Sequence, residues 1–442
     1  MLTVTPEKAN YIADFEVFER NGASGAPAWV RELRQKAFSR FSELNFPTMR
    51  DEEWKYTSVA PLLKVPFRYM ADYSTPAFSN EELKRLTFGQ PDWNRLAFVN
   101  GIYSKELSLI SGLPKGILVQ NLEQALIENP DLVKQHLGKY AGLEGNVFTA
   151  LGTAFLQQGA FIYFPAGVSF EEPIHLLFVS TEQKSATVAH LRNLIVAEAG
   201  SRGGIIENYV GRTAEPYFSN VVTEIFVGEK ARLEHYKIQR ESETGFHINH
   251  TEVFQERESK YLSFSVDMGG KLVRNNHRAV LDEEVECHLN GLYIAGGQQH
   301  IDNHTAIDHT KPNSKSFELY KGILDGKARA VYNGKVFVRQ PAQKTDSKQT
   351  NRNLILSEAA TVDTKPQLEI FADDVKCTHG ATVGQLDEEA IFYLLSRGMS
   401  RPVATRLLTF GFANDVIERV AIEPLRNELE AELSARLQHL GK

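Results

Sequence analysis

Cys377 and His379, close to the C-terminal end of the sequence, have the residue types and the spacing of a metal site. On a β-strand, residues i and i+2 share a face and lie about 6.5–7 Å apart, so a thiol and an imidazole there can converge on one metal ion. Both are competent iron ligands. Two ligands cannot close a site, so completion requires Asp373, Asp374 or a second chain. The alternative is that Cys377 is a small core residue, the usual role of a lone buried cysteine.

The histidines form a second candidate group, since eight of the thirteen lie between residues 235 and 309. Such clustering raises the hypothesis of an autonomous metal-binding protein, and His300 and His304 have the spacing of two ligands on one helical face. The neighbouring residues 296–299 do not resemble a helix, so hydrogen-bonded histidines on a polar sheet face are the preferred interpretation. The eight are His235, His247, His250, His277, His288, His300, His304 and His309.

The sequence lacks the signatures of common enzymes. It contains no G-x-x-x-x-G-K-[ST], G-x-G-x-x-G, G-x-S-x-G or H-E-x-x-H, so ATPase, dinucleotide, serine-hydrolase and zinc-protease chemistry are not expected. The remaining enzyme hypothesis is a β-helix carbohydrate-active enzyme, which needs paired carboxylates on an exposed face. Asp282, Glu283 and Glu284 are the nearest candidates, but their place in a recurring charged turn favours a solvated loop.

The segment from 149 to 383 positions these residues, and its pattern is that of short strands. Six parts of it resemble one another, each an apolar run, a charged turn and a small or apolar residue. Their starts at 194, 225, 253, 279, 323 and 354 are 31, 28, 26, 44 and 31 residues apart. This spacing predicts a mainly β fold, a stacked β-solenoid in which each coil packs only on its neighbours. A β-sandwich is the alternative, with turns about every 8–12 residues.

The N-terminal flank, residues 1–148, carries helical or mixed signals. Apolar residues recur at three- and four-residue steps after Pro27, Ser79 and Glu82 form a capping box, and Pro130 opens a further short helix. A helical or mixed region is therefore expected before the solenoid.

The C-terminal flank, residues 384–442, returns to a helical period. Asp387 can cap one helix, Pro402 begins another and Pro424 a third. The third helix has a leucine every four residues and so one apolar face, which either packs on its own domain or binds a partner. These leucines are Leu425, Leu429, Leu433 and Leu437.

Composition is that of a globular protein: 442 residues, a net charge of −7 and 42% hydrophobic residues. Cys287 and Cys377 are too few for a disulfide framework, which indicates a reducing compartment. The stretch from Met1 to Lys8 lacks signal-peptide features, and no apolar run approaches the length of a membrane span. The acidic balance argues against nucleic-acid binding. A soluble cytoplasmic protein is expected.

Two segments resemble the SufB/SufD family of iron-sulfur cluster assembly proteins. Residues 376–400, which begin Lys-Cys-Thr-His-Gly-Ala-Thr-Val-Gly-Gln, are similar to the C-terminal signature of the family, and residues 51–57, Asp-Glu-Glu-Trp-Lys-Tyr-Thr, resemble an N-terminal motif of its SufD branch. The short N-terminus and the two cysteines also resemble that branch, because SufB chains are generally longer and richer in cysteine. Together the two segments bracket most of the chain.

The resemblance implies a right-handed parallel β-helix core between an N-terminal region and a C-terminal helical domain. It implies a non-enzymatic scaffold that pairs with a SufB-like protein through its C-terminal coils and docks the ATPase SufC through its C-terminal helices. In that case His379 and Cys377 lie at the cluster-assembly interface, where they are ligands shared with SufB. The implied SufC-docking residues are Arg397, Gly398, Met399, Ala404, Leu407, Leu408 and Phe412.

The same resemblance implies that the isolated chain binds no cofactor tightly. A transient iron-sulfur cluster forms at the SufB interface, and ATP is bound by SufC. Reduced flavin is linked to the assembly at the level of the family, although the sequence contains no flavin-binding motif. A homodimer is expected when SufB is absent, because an unpaired terminal strand can pair with a second copy.

Overall fold

A computed structural model describes residues 6–21, 25–69 and 77–438. The prediction that the stretch from Met1 to Lys8 is not a signal peptide therefore falls largely outside the described residues. The α-helices are α1 Ala9–Asn21, α2 Ala28–Glu43, α3 Ala60–Leu63, α4 Asn80–Leu86, α5 Leu122–Glu128, α6 Pro130–His136, α7 Val147–Ala154, α8 Glu388–Ser396, α9 Arg401–Ile417 and α10 Glu423–Leu437. The first strands are β1 Arg95–Val99, β2 Ile102–Leu109, β3 Leu118–Asn121, β4 Ala160–Phe164, β5 Ile174–Thr181, β6 Thr187–Ala197, β7 Arg202–Arg212, β8 Tyr217–Val227 and β9 Arg232–Arg240. The remaining strands are β10 Phe246–Gln255, β11 Lys260–Asp267, β12 Leu272–Leu281, β13 Glu286–Ala295, β14 His300–His309, β15 Lys315–Leu324, β16 Arg329–Val338, β17 Asp346–Ile355, β18 Thr361–Ile370 and β19 Lys376–Gly384.

From β4 onward the strands coil into a parallel solenoid of about eight turns. Even-numbered strands pair with one another in one sheet, sheet A, and odd-numbered strands pair in the facing sheet, sheet B. Successive coils are in register along each sheet, as when Ile225 of β8 pairs with Val253 of β10. Among the described residues, antiparallel pairs occur only at the first end, between β1 and β2 and between β3 and β4. The predicted β-solenoid is thereby confirmed.

The uneven repeat spacing has a structural cause. The segments that start at 194, 225, 253 and 279 belong to strands β6, β8, β10 and β12, all in sheet A, whereas those that start at 323 and 354 belong to β15 and β17 in sheet B. The step of 44 residues is therefore a change of sheet and not a longer coil. Ile307 of β14 pairs with Ala279 and is the next sheet A member, 28 residues on.

The charged turns stack along one edge of the solenoid. Lys230, Glu258 and Glu284 have positive φ values of 59°, 58° and 58°, and they occupy the same position in three successive turns that lead from sheet A to sheet B. The amide of each bonds to the turn of the following coil, for example Lys230 N to Arg257 O at 3.0 Å. The recurring motif is thus a corner of the coil.

Apolar side chains fill three layers. The first lies between the two sheets, the second between the outer face of sheet A and the N-terminal helices, and the third between the outer face of sheet B and the C-terminal helices. All four leucines of the α10 stripe are buried in the third layer. The leucine face therefore packs on this chain's own solenoid, which is the first of the two alternatives, packing on its own domain or binding a partner.

The helix caps predicted from the sequence for α4 and α8 are present in the structure. Ser79 Oγ accepts from Glu82 N at 3.2 Å while the Glu82 carboxylate accepts from Ser79 N at 2.8 Å, which completes the predicted capping box. Asp387 accepts from Glu389 N at 2.9 Å at the start of α8.

Within the residues that the structure describes, no helix is both long and apolar enough to cross a membrane.

Candidate functional site

Strand β19 carries the candidate ligands and is the last strand of sheet B, as β18 is the last of sheet A. Each pairs on one side only, β19 with β17 and β18 with β16. Among the described residues no further strand follows them, so their outer hydrogen-bonding edges are unpaired. We call the surface formed by β18 and β19 the open end. Unpaired strand edges of this kind accept strands from other chains.

Cys377 and His379 lie on the same side of β19, as the i, i+2 spacing predicted. They pair in register with Ser347 and Gln349 of β17, whose side chains are buried in the solenoid interior. Both ligand candidates thus occupy positions that would be interior if another coil followed. Because no coil follows in the described chain, Cys377 is half-buried and His379 is exposed.

The Cys377 thiol is partly enclosed by a small apolar cluster. Its side chain packs against Val336, Val338, Ala342 and Ala372. Burial raises the pKa of the Cys377 thiol, so it is mainly protonated near neutral pH unless a metal or a cation draws the proton away. This packing agrees with the core role that the sequence left open for Cys377, and its role as a metal ligand stays a prediction.

Asp373 and Asp374 do not complete a ligand set with this pair. Both are exposed and precede β19, and Asp374 is held by backbone contacts, with its amide donating to Gln343 Oε1 at 2.9 Å. In the described parts of the chain no group of three or more His, Cys, Asp or Glu side chains is arranged to hold a metal ion. Cys377 and His379 are therefore two candidate ligands, and a metal bound there would need further ligands from another chain.

The open end also exposes apolar side chains. Phe371, in the turn between β18 and β19, is 59% exposed, and Ile370 and Val383 on the two strands are also exposed. Large exposed apolar residues beside unpaired strand edges are typical of protein–protein contact surfaces. The candidate ligands therefore lie inside a surface suited to another protein.

The histidine cluster is distributed over several environments. In the interior, His235 Nε2 lies 3.2 Å from Glu207 and His247 Nδ1 lies 2.8 Å from Glu241, so these imidazoles accompany buried carboxylates. His300 lies instead on the outer face of sheet A, where its Nε2 is 2.9 Å from Thr57 Oγ1. These contacts agree with the preferred interpretation of hydrogen-bonded sheet histidines.

The acidic triple at 282–284 lies in a corner turn. Asp282 pairs with Lys311 at 2.7 Å, and Glu284 pairs with Arg257 at 3.5 Å. These are surface ion pairs between stacked turns. They agree with the solvated loop that the sequence favoured over a pair of catalytic carboxylates.

The C-terminal helices present a second exposed surface. Of the residues carried over from the family resemblance, Arg397, Gly398, Met399 and Leu407 are exposed, Leu408 and Phe412 are partly buried, and Ala404 is fully buried at 0% exposure. Phe392, Tyr393 and Val403 are also exposed, with Phe392 at 70%. These three residues were not predicted from the sequence, although Phe392 and Tyr393 are adjacent on one helix and cannot both face the core.

These helices are fixed to the solenoid by polar as well as apolar contacts. Lys321 of β15 donates to the Phe412 carbonyl at 2.9 Å and pairs with Asp415 at 2.6 Å, while Arg240 of β9 pairs with Glu432 of α10 at 3.4 Å. Polar contacts therefore link α9 to β15 and α10 to β9 of sheet B.

Taken together, the fold and its open end define a class: a parallel β-solenoid flanked by helices, whose last strand β19 carries a half-buried thiol and an exposed imidazole on one side. Comparison with known families identifies the class further. The family model for the SufBD core domain of the SUF system of iron-sulfur cluster assembly matches residues 178–412, and the SufBD N-terminal region model matches residues 5–176. The chain belongs to the SufBD family of iron-sulfur cluster assembly proteins.

Individual relatives agree along nearly the whole chain. An iron-sulfur cluster assembly SufBD family protein of Synechocystis is 35% identical over 91% of this chain and 90% of its own length. The iron-sulfur cluster assembly protein SufD of Escherichia coli is 31% identical over 98% of both chains, and SufD of Bacillus subtilis is 26% identical over 93% of this chain and 95% of its own. The resemblance to the SufD branch is thereby confirmed.

Proposed function

We propose that this chain is a non-catalytic scaffold subunit for iron-sulfur cluster assembly, which pairs with a SufB-like partner through its open end. The observation that carries the proposal is the position of Cys377 and His379 on the unpaired strand β19. In a complex the partner supplies the ligands that complete the pair, and a cluster is held there transiently. Without that partner, the same edge pairs with a second copy of this chain.

The C-terminal helices are the proposed docking surface for a SufC-like ATPase. Arg397, Gly398, Met399 and Leu407, together with the adjacent Phe392, supply an exposed and partly apolar surface. ATP is bound by that partner, and it moves the helices only if it binds the associated ATPase state more tightly than the separated one. Because Lys321 ties α9 to β15, such a motion reaches β15, which pairs with β17, the neighbour of β19.

Co-purification with SufB-like and SufC-like partners tests both surfaces on the full-length chain. Removal of residues 385–442 is unsuitable alone, because it would uncover the apolar outer face of sheet B that α9 and α10 bury. We use charge substitutions at exposed positions instead. Phe371→Glu is expected to abolish co-purification of the SufB-like chain, and Leu407→Glu that of the ATPase.

The control is Ile127→Glu, a substitution of an apolar residue of α5 that is 64% exposed on the N-terminal region. It is expected to leave both partners bound. If the wild-type chain is folded but binds neither partner, the scaffold proposal is wrong. If Phe371→Glu still binds the SufB-like chain, the open end is not the pairing surface.

A further inference from the structure

The N-terminal motif at residues 51–57 lies across the outer face of sheet A near the open end. The strands that it contacts there are more than 200 residues away in sequence. A short 3-10 helix, Glu52–Trp54, begins it, with Asp51 accepting from Thr48 N at 2.7 Å. Its side chains and backbone contact four successive strands of sheet A, namely β12, β14, β16 and β18. We call residues 51–57 the brace.

One part of the brace is buried and anchors it to β12 and β14. The Thr57 hydroxyl donates to the buried Asp302 carboxylate, which is also paired with Arg274. Arg274 in turn donates to the Glu53 carbonyl at 2.9 Å, and its guanidinium lies 4.4 Å from the centre of the Trp54 ring. Because the Asp302 carboxylate is buried and bonds to both Thr57 and Arg274, it anchors this part of the brace to β12 and β14.

The other part of the brace reaches toward the open end through ion pairs. Glu53 pairs with Lys335 of β16 and lies 3.5 Å from His304 Nδ1 of β14. Glu52 pairs with Lys365 of β18, the terminal strand of sheet A. The brace thus connects β18 in the last coil to β14 and β12, which lie two and three coils away from the open end.

This connection matters because of the way a solenoid is built. Each coil contacts only its neighbours, so an internal coil is held from both sides and the terminal coil from one side. The terminal coil is therefore the first to open locally. A lateral link from β18 to the buried anchor at Arg274 and Asp302 opposes that opening.

We propose that the brace holds β18 and β19 in the arrangement that a partner chain meets, so that Glu52 and Glu53 are positioning residues for the docking edge. A docking edge that is already ordered loses less conformational freedom on binding, and so it binds more tightly. The effect on partner binding rests on the proposed function, whereas the ordering of the last coil does not.

Hydrogen exchange of the isolated full-length chain tests the positional role. The variant Glu52→Gln/Glu53→Gln removes the carboxylate charges that face Lys365, Lys335 and His304 while it keeps the side-chain size. We expect amide exchange in residues 361–384 to quicken about three- to tenfold, with the coils from β5 to β9 unchanged. Unchanged exchange at 361–384, or an equal increase over the whole solenoid, would overturn the proposal.

Two further variants make the result specific. Glu81→Gln removes an exposed ion pair with Arg85 on α4 and is expected to leave exchange at 361–384 as in the wild type. The charge exchange Glu52→Lys/Lys365→Glu is expected to recover wild-type exchange, and its failure to do so would contradict a role for this ion pair.

Binding to a SufB-like chain gives a separate readout. The Glu52→Gln/Glu53→Gln variant is expected to bind about three- to tenfold more weakly than the wild type, in proportion to the faster exchange. Equal affinity despite faster exchange would contradict the link to docking. If the wild type itself does not bind, the proposed function is wrong while the exchange test of the brace still stands.

Discussion

Cys287 and Cys377 occupy the same register position of sheet B, separated by Ser316 and Ser347 on the two strands between them. Ser316 Oγ donates to Ser347 Oγ at 2.8 Å, so the column is polar between its two thiols. Cys287 lies in the interior and is fully buried, and burial raises the pKa of its thiol well above the ordinary value. Cys377 ends the column at the open end, so it is the thiol that solutes and partners can reach.

Alkylation should separate the two thiols. We expect iodoacetamide at pH 8 to modify Cys377 slowly in the folded chain, because burial raises the pKa of that thiol, and Cys287 only after unfolding. Mass spectrometry of tryptic peptides measures the two rates. The variant Cys377→Ser should show no modification while folded. Equal rates for both thiols in the folded chain would contradict the placement of Cys287 in the core.

His379→Ala should separate folding from function. The side chain is exposed on a terminal strand, so its removal should change the free energy of unfolding by less than about 0.5 kcal/mol and leave the partners bound. Cluster assembly should be strongly impaired, because one of two candidate ligands is lost. Circular dichroism, co-purification and the visible absorbance of the cluster measure the three properties. A variant that failed to assemble with its partners would contradict this prediction.

Glu318 should make stability depend on pH. Burial between the sheets raises the pKa of its carboxyl from 4.5 to about 7, and hydrogen bonds from Thr305 and Gln349 offset this only in part. The unfolded carboxyl ionises near 4.5 while the folded one keeps its proton to about 7, so stability falls as the pH rises between these values. The carboxylate charge of Glu318 in turn contributes to the raised pKa values of Cys287, Tyr320 and Tyr332.

Glu318→Gln removes this dependence and can still accept from Gln349. We expect the variant to match the wild type at pH 4 and to exceed it at pH 8 by up to about 3 kcal/mol, at 1.36 kcal/mol for each pKa unit. Urea unfolding at the two pH values measures the difference. A constant difference across this range would mean that Glu318 does not titrate within it.

The sequence was a good guide to the solenoid because coil stacking repeats a local pattern. The apolar run and the charged turn that mark Ile225 and Val253 as equivalent are the same features that place them in register. The sequence alone does not show that the segment at 323 belongs to sheet B and not sheet A. The turns that lead from each sheet to the other both contain charged and small residues. The limits of the three regions, at 148 and 383, stay predictions.

The candidate site was only partly accessible to sequence reasoning. Cys377 and His379 are two residues apart on one strand, so their shared side followed from the strand period. The brace did not follow, because Glu53 and Lys335 are 282 residues apart and no local pattern connects them. Equally, the burial of Ala404 beside the exposed Leu407 depends on how α9 lies on sheet B.

The packing of α10 leads to the last prediction. Leu433 is fully buried against the outer face of sheet B, so Leu433→Ala should cost about 2–5 kcal/mol of stability and loosen the C-terminal helices. Leu407→Ala, by contrast, removes an exposed side chain and should change stability by less than about 0.5 kcal/mol while it weakens ATPase binding. Thermal unfolding and co-purification of both variants measure the two effects. If Leu433→Ala were as stable as the wild type, the leucine stripe would not be packed on the solenoid, and its face would be free for a partner.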